Sequence, residues 1–307
     1  MDDVILHHYA LSPYAEKVRR ILGFKGIPWR SVEIPVVMPK PDLTALTGGY
    51  RKTPVLQIGA DVYCDTDLIA RVLERVRPTP TLFPPGAESL SYMIGPWQNE
   101  LFMLAVYQVG TAAPVFPDGF VEDRAKIIEG FSLEKIVAEV GPQREQLRAR
   151  LDLLDRLLAT RSWLLGDAPS LGDFAICHPI FVLRAVEQTA GILEPFTHVR
   201  AWADRMDAIG HGTFEALTGP DAVEIARAAT PADGLVVEPG EPNGLAAGDD
   251  VEVVHESFGK DPTRGTLVGA TVDGVAVRRE DARAGTVVVH FPREHYVVMR
   301  VGGSPAP

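Results

Sequence analysis

Alternating apolar and polar positions divide the start of the chain into strands and a helix. Val4–His8 and Trp29–Ile34 have the spacing of strands. Between them, apolar residues recur at helical spacing from Tyr14 to Lys25, and Gly26 suits the end of a helix. The pattern predicts a strand–helix–strand unit.

The following residues predict a further helix, a hairpin and a third helix. Asp42–Leu46 is a short helix closed by two glycines, and Val55–Ile58 and Val62–Cys64 flank a Gly-Ala-Asp turn. Asp65–Arg75 has apolar residues on one side of a helix. These elements together predict a small α/β layer with a mixed sheet.

Two stretches rich in Pro and Gly, Arg77–Gly86 and 231–248, have the composition of linkers. They divide the chain into a predicted α/β domain (1–77), an all-α domain (88–230) and a C-terminal part (246–302). The C-terminal part contains five short runs that alternate with period two, which favours a small β-barrel-like domain.

Two local signals refine the helical domain. A long helix begins after residue 87 and is expected to bend near Gly95–Pro96. A later apolar helix begins at Ser170-Leu171-Gly172-Asp173, a capping box in which serine and aspartate satisfy free backbone N–H groups. We interpret this box as structural.

Composition excludes several classes of function. The net charge is −11, and the segments 1–85, 86–245 and 246–307 carry net charges of +2, −11 and −2, so no segment has the basic character of a nucleic-acid-binding protein. The two cysteines form neither a metal motif nor a disulfide framework, which indicates a reducing, cytoplasmic compartment. No apolar run is long enough to span a membrane, and the N-terminus has no secretory signal pattern.

Three short motifs place polar groups where an element begins. Ser12-Pro13 precedes the first helix, Thr53-Pro54 enters a strand, and Asp65-Thr66 begins the third helix. Serine and aspartate are good N-caps, so each motif also has a purely structural interpretation. A cis Pro54 would instead turn the backbone of Thr53 toward a peptide-like ligand, and a helix N-terminus can bind a carboxylate.

These motifs, in this order, resemble those of the glutathione transferases over about residues 3–212. SPYAEKVR resembles the first-helix motif of the family, RKTPVLQIG its cis-proline segment, YCDTDLIARVLE its γ-glutamyl-binding segment, and LLGDAPSLGDFAI its folding motif. The resemblance implies a thioredoxin-like N-terminal domain followed by a helical domain. It implies glutathione as co-substrate and no metal.

The resemblance also implies roles for particular residues. Ser12 falls where serine-type members place a hydroxyl against the glutathione sulfur. Thr53 would pair with the cysteinyl backbone, with Pro54 in the cis form. Lys52 matches a residue that binds the glycine carboxylate in some classes.

In the same way, Asp65 and Thr66 match the acidic and hydroxyl residues that hold the γ-glutamyl group. An ammonium needs an acid, and a carboxylate suits a helix N-terminus.

Some positions depart from the motifs of particular classes. No cysteine lies between residues 1 and 63, so the first helix has no thiol nucleophile of its own. Tyr9 is an alternative to Ser12, although it lies one residue from the tyrosine-type position. Tyr14 is expected to pack against its helix, and Cys64 to be a small buried side chain. His7 and His8 point to opposite faces of a strand and cannot easily share a metal.

The expected function is therefore conjugation of the glutathione thiol to a small hydrophobic electrophile by a homodimer. The alternatives are a glutathione-binding module without catalysis and a dimeric interaction module. The C-terminal strands are absent from the usual two-domain family and are expected to mediate interaction or brace a dimer.

Overall fold

A computed structural model describes residues 3–111, 116–128 and 130–302. Its N-terminal part follows the predicted order of elements closely. These are β1 (Val4–His8), α1 (Pro13–Lys25), β2 (Trp29–Glu33), α2 (Pro41–Thr47), β3 (Val55–Ile58), β4 (Asp61–Cys64) and α3 (Thr66–Val76). Gly26 and Gly48 end α1 and α2 in the left-handed conformation, which glycine adopts without steric cost.

The helical part contains more breaks than the sequence predicts. Its helices are α4 (Glu88–Met93), α5 (Gly95–Val109), α6 (Phe120–Ala125), α7 (Leu133–Leu158), α8 (Leu171–Arg184), α9 (Glu187–Ala190), a 3₁₀ turn (Gly191–Leu193) and α10 (Thr197–Ile209). Where a bend is expected near Gly95–Pro96, the helix is interrupted at the single residue Ile94, which keeps helical backbone angles and donates its N–H to the carbonyl oxygen of Leu90 at 3.1 Å. The capping box at the start of α8 is confirmed.

The end of the segment 88–230 is not part of the helical layer. β5 (Phe214–Ala216) pairs parallel with β2, and α11 (Gly219–Ala228) packs against α2. The prediction that 88–230 is entirely helical is therefore wrong for β5, whereas α11 is a helix. A three-residue strand is too short for its periodicity to be recognised.

The five predicted C-terminal strands are confirmed as β6 (Asp250–His255), β7 (Thr263–Ala270), β8 (Gly274–Asp281), β9 (Gly285–Pro292) and β10 (Tyr296–Arg300). Closure into a barrel is not confirmed. The strands instead extend the N-terminal sheet, because β9 pairs parallel with β4. The resulting ten-stranded sheet has the order β10-β6-β7-β8-β9-β4-β3-β1-β2-β5.

Two apolar cores lie on the two faces of the N-terminal sheet. The first contains Val4 and Leu6 of β1 and joins α1 and α3 to the helical layer. The second contains Ile5 of β1 and continues through α2 and α11 into the C-terminal strands. The division into three domains stays a prediction, but the third segment shares a sheet and a core with the first.

Candidate functional site

The strand register brings the predicted site residues to one end of the sheet, which we call the site end. β1 pairs antiparallel with β3, so that His7 faces Val55. β3 pairs antiparallel with β4, so that Val55 faces Cys64. The residues that follow β1, precede β3 and follow β4 therefore lie at the same end. Three segments that are distant in sequence become neighbours there.

Ser12 begins α1 and is its N-cap. Its Oγ accepts a hydrogen bond from the N–H of Ala15 at 3.2 Å, and its own N–H donates to the carbonyl oxygen of Tyr9 at 3.1 Å. Within the described part of the chain, no acceptor takes the hydroxyl proton of Ser12. The residue is only 2% exposed, whereas Leu11 beside it is 62% exposed. Ser12 therefore has a proton to donate, from a nearly covered position.

Thr53 precedes the cis peptide bond to Pro54, and the expectation of a cis proline is confirmed. The N–H and C=O groups of Thr53 form no hydrogen bond with other residues of the described ranges, and the residue is half-buried. Its Oγ1 lies 3.3 Å from the buried ammonium of Lys40. Burial, together with the charges of Arg124 and Arg51, lowers the pKa of Lys40 to about 8.

Asp65 is the N-cap of α3 and has a left-handed φ of 81°. Residues other than glycine rarely adopt this region, and such positions concentrate at binding sites. Its Oδ1 accepts from the N–H of Asp67 at 3.0 Å, and its Oδ2 accepts from the hydroxyl of Tyr296 at 3.3 Å. Burial and the charge of Asp67 raise the pKa of Asp65.

Thr66 already has an internal partner. The ammonium of Lys17, which is 1% exposed, donates to Thr66 Oγ1 at 3.1 Å and to Asp67 Oδ1 at 2.6 Å. This buried lysine ties α1 to the start of α3. It keeps the segments of Ser12 and Asp65 at a fixed separation.

Lys52 lies beside the C-terminal strands, with its Nζ 5.5 Å from the ring centroid of Tyr296. It is half-buried, and its Nζ forms no hydrogen bond or ion pair with residues 3–111, 116–128 or 130–302. Burial lowers the pKa of Lys52 to about 7, although the charge of Asp65 acts in the opposite direction. Its ammonium therefore lacks an anionic partner.

The alternative residues are also located. The hydroxyl of Tyr9 accepts a hydrogen bond from Arg124 Nη2 at 3.2 Å. Tyr14 packs against the rings of Phe102 and His178, at centroid distances of 5.0 and 4.5 Å, as a packing role predicts. Cys64 is fully buried, and burial raises the pKa of its thiol, which makes it a poor nucleophile.

His7 and His8 have separate partners, Gln57 and Ser31. In the described ranges, no group of three or more His, Cys, Asp or Glu residues is placed to hold a metal ion. None of the described helices combines the length and the apolar character that crossing a membrane requires.

Sequence reasoning missed Lys17, Lys40 and Tyr296 as neighbours of the site. The two lysines lie on positions that helical or loop patterns assign to solvent, and no local signal marks them as buried. Tyr296 reaches Asp65 from 231 residues away. The uninterrupted Val287–Val289 in β9 could have indicated a strand that is covered on both faces.

Comparisons with known proteins identify the family of the chain. A family model of the glutathione S-transferase N-terminal domain matches residues 6–81, and one of the C-terminal domain matches residues 112–205. Both matches end before the C-terminal strands.

The crystal structure of a GST-like protein from Pseudomonas syringae is 40% identical in sequence and superposes with a TM-score of 0.81. The match covers 97% of this chain and all of that one. The C-terminal strands are therefore part of an architecture that another protein shares.

Two more distant relatives match only part of the chain. FtsZ-localized protein A from Caulobacter vibrioides is 26% identical over 185 residues, which are 58% of this chain and 76% of that protein. A glutathione S-transferase from Methylobacillus flagellatus, solved with glutathione bound, is 20% identical and shares the fold with a TM-score of 0.53, over 68% of this chain and 99% of that one. On the two family models and the full-length match together, this chain belongs to the glutathione S-transferase family.

Proposed function

We propose that this protein binds glutathione at the site end and conjugates its thiol to a small hydrophobic electrophile. The observation that carries the proposal is the meeting of Ser12, Thr53 and Asp65 at the same end of the sheet. The hydroxyl of Ser12 has a proton that it can donate to a sulfur. Such a hydrogen bond stabilises the thiolate over the thiol and lowers the thiol pKa from its usual ~8.5.

The other residues would hold the peptide. The free backbone groups of Thr53, before Pro54, would pair with the cysteinyl backbone. Asp65 would receive the γ-glutamyl ammonium, and Thr66 at the start of α3 would receive the γ-glutamyl carboxylate. Lys52, which lacks an anionic partner, would bind the glycine carboxylate.

Substitution of Ser12 tests the catalytic role. Ser12→Ala should raise the pKa of bound glutathione by ~1–2 units, because a hydrogen bond to a charged group contributes ~1.5–3 kcal/mol. The thiolate absorbance of bound glutathione against pH reports this pKa directly. Conjugation of a chlorodinitrobenzene should slow at neutral pH while binding remains. Ser12→Cys should shift the site toward thiol–disulfide exchange.

A matched control separates catalysis from capping. Ser132 is the half-buried N-cap of α7, and its Oγ accepts from the N–H of Lys135 at 3.1 Å, much as Ser12 accepts from Ala15. Ser132→Ala should cost similar stability, about 1 kcal/mol, without changing the thiol pKa. If Ser12→Ala conjugates as fast as the parent between pH 6 and 8, Ser12 is only a cap, and Tyr9 or backbone N–H groups must act instead.

A second candidate function is glutathione binding without turnover, or an interaction module of the same fold. Ser12 is 2% exposed, and Asp65 and Thr66 already have partners in Tyr296 and Lys17. The low exposure of Ser12 supports a module without turnover, because a sulfur must reach this hydroxyl for catalysis. The existing partners of Asp65 and Thr66 would compete with a γ-glutamyl group, which supports the interaction module. Turnover of a simple electrophile separates the enzyme from the binder, and retention on immobilised glutathione separates the binder from a purely structural module.

We also propose a cytoplasmic homodimer, formed by the N-terminal part of one chain and the helical part of the other. Both cysteines are buried and free, which is consistent with a reducing compartment. β4 is paired with β9 on its outer side, so the dimer would have to form through helices and not through this strand. Light scattering that gives the mass of a monomer at micromolar concentration would exclude the dimer.

A further inference from the structure

The C-terminal strands bring additional side chains to the site end. β9 runs parallel to β4, with Tyr63 opposite His290, so both strands end on the same side. The chain then turns into Tyr296, the first residue of β10, which pairs with His255 at the end of β6. Tyr296 and the loop after His255 therefore lie beside the residues that follow β4.

Lys52 lies among three aromatic rings, two of which come from β10 and from the loop after β6. Its Nζ is 5.0 Å from the ring centroid of Phe258, 5.5 Å from that of Tyr296 and 6.0 Å from that of Tyr50. The loop backbone is close as well, since a Cβ on Gly259 would lie 3.5 Å from Lys52 Cε. The π faces attract the ammonium but do not neutralise its charge. An anion is the missing partner.

Tyr296 also contacts the acidic side of the site. Its hydroxyl lies 3.3 Å from Asp65 Oδ2 and 3.4 Å from the hydroxyl of Tyr50, so it can donate to the carboxylate and accept from Tyr50. The same ring therefore fixes Asp65 and forms one wall around Lys52. The C-terminal strands contact both charged groups to which the proposed ligand would bind.

We propose, on the basis of the glutathione function proposed above, that Phe258 and Tyr296 close the cleft at Lys52 and restrict its ligands to peptide thiols with a free carboxylate there. A carboxylate would neutralise the partly desolvated ammonium. An ester brings no charge, and its alkyl group would meet the ring of Phe258 and the backbone of Gly259. A peptide extended beyond this position is excluded as well, because its amide carries no charge and its next residue would meet the ring of Phe258 and the backbone of Gly259.

Calorimetric titration of the full chain with glutathione and with glutathione glycine monoethyl ester tests this selectivity. The parent should prefer glutathione by about tenfold to a hundredfold, the range expected from one charge-assisted contact. Phe258→Ala should narrow this ratio several-fold by improving ester binding. Phe258→Leu keeps an apolar side chain, so it replaces the alanine variant in this test if the alanine variant does not fold. Val272→Ala, in the exposed turn between β7 and β8, is the control and should leave the ratio unchanged.

The outcomes separate the inference from the function on which it rests. If the parent binds glutathione but the ratio is the same in Phe258→Ala and Phe258→Leu, the inference is wrong and the proposed function stands. If only the Phe258 variants bind glutathione, the loop blocks the cleft and does not select, which also overturns the inference. If neither the parent nor any variant binds glutathione, the proposed function fails, and the inference fails with it.

Discussion

Replacement of Asp173 should be among the most destabilising single changes in the helical layer. This carboxylate is fully buried in the first turn of α8. Its Oδ1 accepts from the N–H of Leu164 and from Nε1 of Trp202, both at 2.9 Å. Its Oδ2 accepts from the N–H of Ser170 at 2.9 Å and from its hydroxyl at 2.8 Å. One side chain therefore joins the loop before α8, α8 itself and α10.

The expected loss in the free energy of unfolding follows from the hydrogen-bond donors that lose their acceptor. Asp173→Ala leaves three buried N–H groups without a partner, each at ~1–3 kcal/mol, while the serine hydroxyl can rotate to another acceptor. Burial raises the pKa of Asp173, so removing the carboxyl also relieves a desolvation cost that offsets part of the loss. We expect a net loss of about 3–5 kcal/mol in the free energy of unfolding.

Asparagine makes the prediction sharper. Both oxygens of Asp173 accept two hydrogen bonds, so in either orientation the amide NH₂ of an asparagine faces at least one N–H donor. Asp173→Asn should therefore recover only part of the loss and remain about 1–3 kcal/mol below the parent.

Urea unfolding followed by circular dichroism measures these differences, provided that the slope with denaturant is unchanged. Asp152→Ala is the control: Asp152 lies on α7, is exposed and pairs with Arg156 at 3.1 Å, so its loss should change stability by less than ~0.5 kcal/mol. A loss of under 1 kcal/mol for Asp173→Ala, or an asparagine variant as stable as the parent, would refute this reasoning.

Three further predictions concern the site end and β1. Asp65→Ala should weaken glutathione binding by ~1.5–3 kcal/mol in calorimetry. Loss of the N-cap should separately lower the free energy of unfolding by ~1 kcal/mol. Unchanged affinity would leave Asp65 only its capping role. Burial lowers the pKa of Lys52 to about 7, and only its ammonium form attracts a carboxylate. S-methylglutathione should therefore bind about eightfold more weakly at pH 8 than at pH 6.5. Lys52→Met should abolish this pH dependence of binding. Burial lowers the pKa of His7 from 6.5 to about 4, so as the pH falls the imidazole is protonated in the unfolded chain before it is protonated in the folded one. The free energy of unfolding should therefore fall by about 3 kcal/mol between pH 6.5 and pH 4. If His7→Leu loses stability just as steeply over this range, His7 is not the group responsible.

Local signals made the N-terminal elements and the capping motifs predictable from the sequence. Ser12 and Asp65 begin helices, Gly26 ends one, and the Ser170–Asp173 box begins another, as expected. Each of these features depends on residues within a few positions of one another. The sequence carries such information directly, through hydrogen-bonding side chains and left-handed glycines.

Features that depend on distant residues could not be predicted in the same way. The apolar run of β9 indicates a strand but does not specify β4 as its neighbour. The environments of Lys17 and Lys52 follow from tertiary packing that encloses long charged side chains, whereas periodicity assigns lysine to solvent. The aromatic surroundings of Lys52 therefore became visible only once the C-terminal strands were placed.

The pairing of β4 with β9 also sets an order of events during synthesis. Asp61 of β4 and His290 of β9, which form a hydrogen bond, are 229 positions apart. At ~5–20 residues per second, the ribosome needs roughly 10 to 45 s to make the intervening chain. Throughout this time β4 can pair with β3, but its other edge is unpaired at the side of a nascent sheet, and the apolar face that the C-terminal strands will cover is open to water. The growing chain therefore passes through a stage that is prone to aggregate, and a chaperone that holds nascent apolar surface would act on it before β9 emerges.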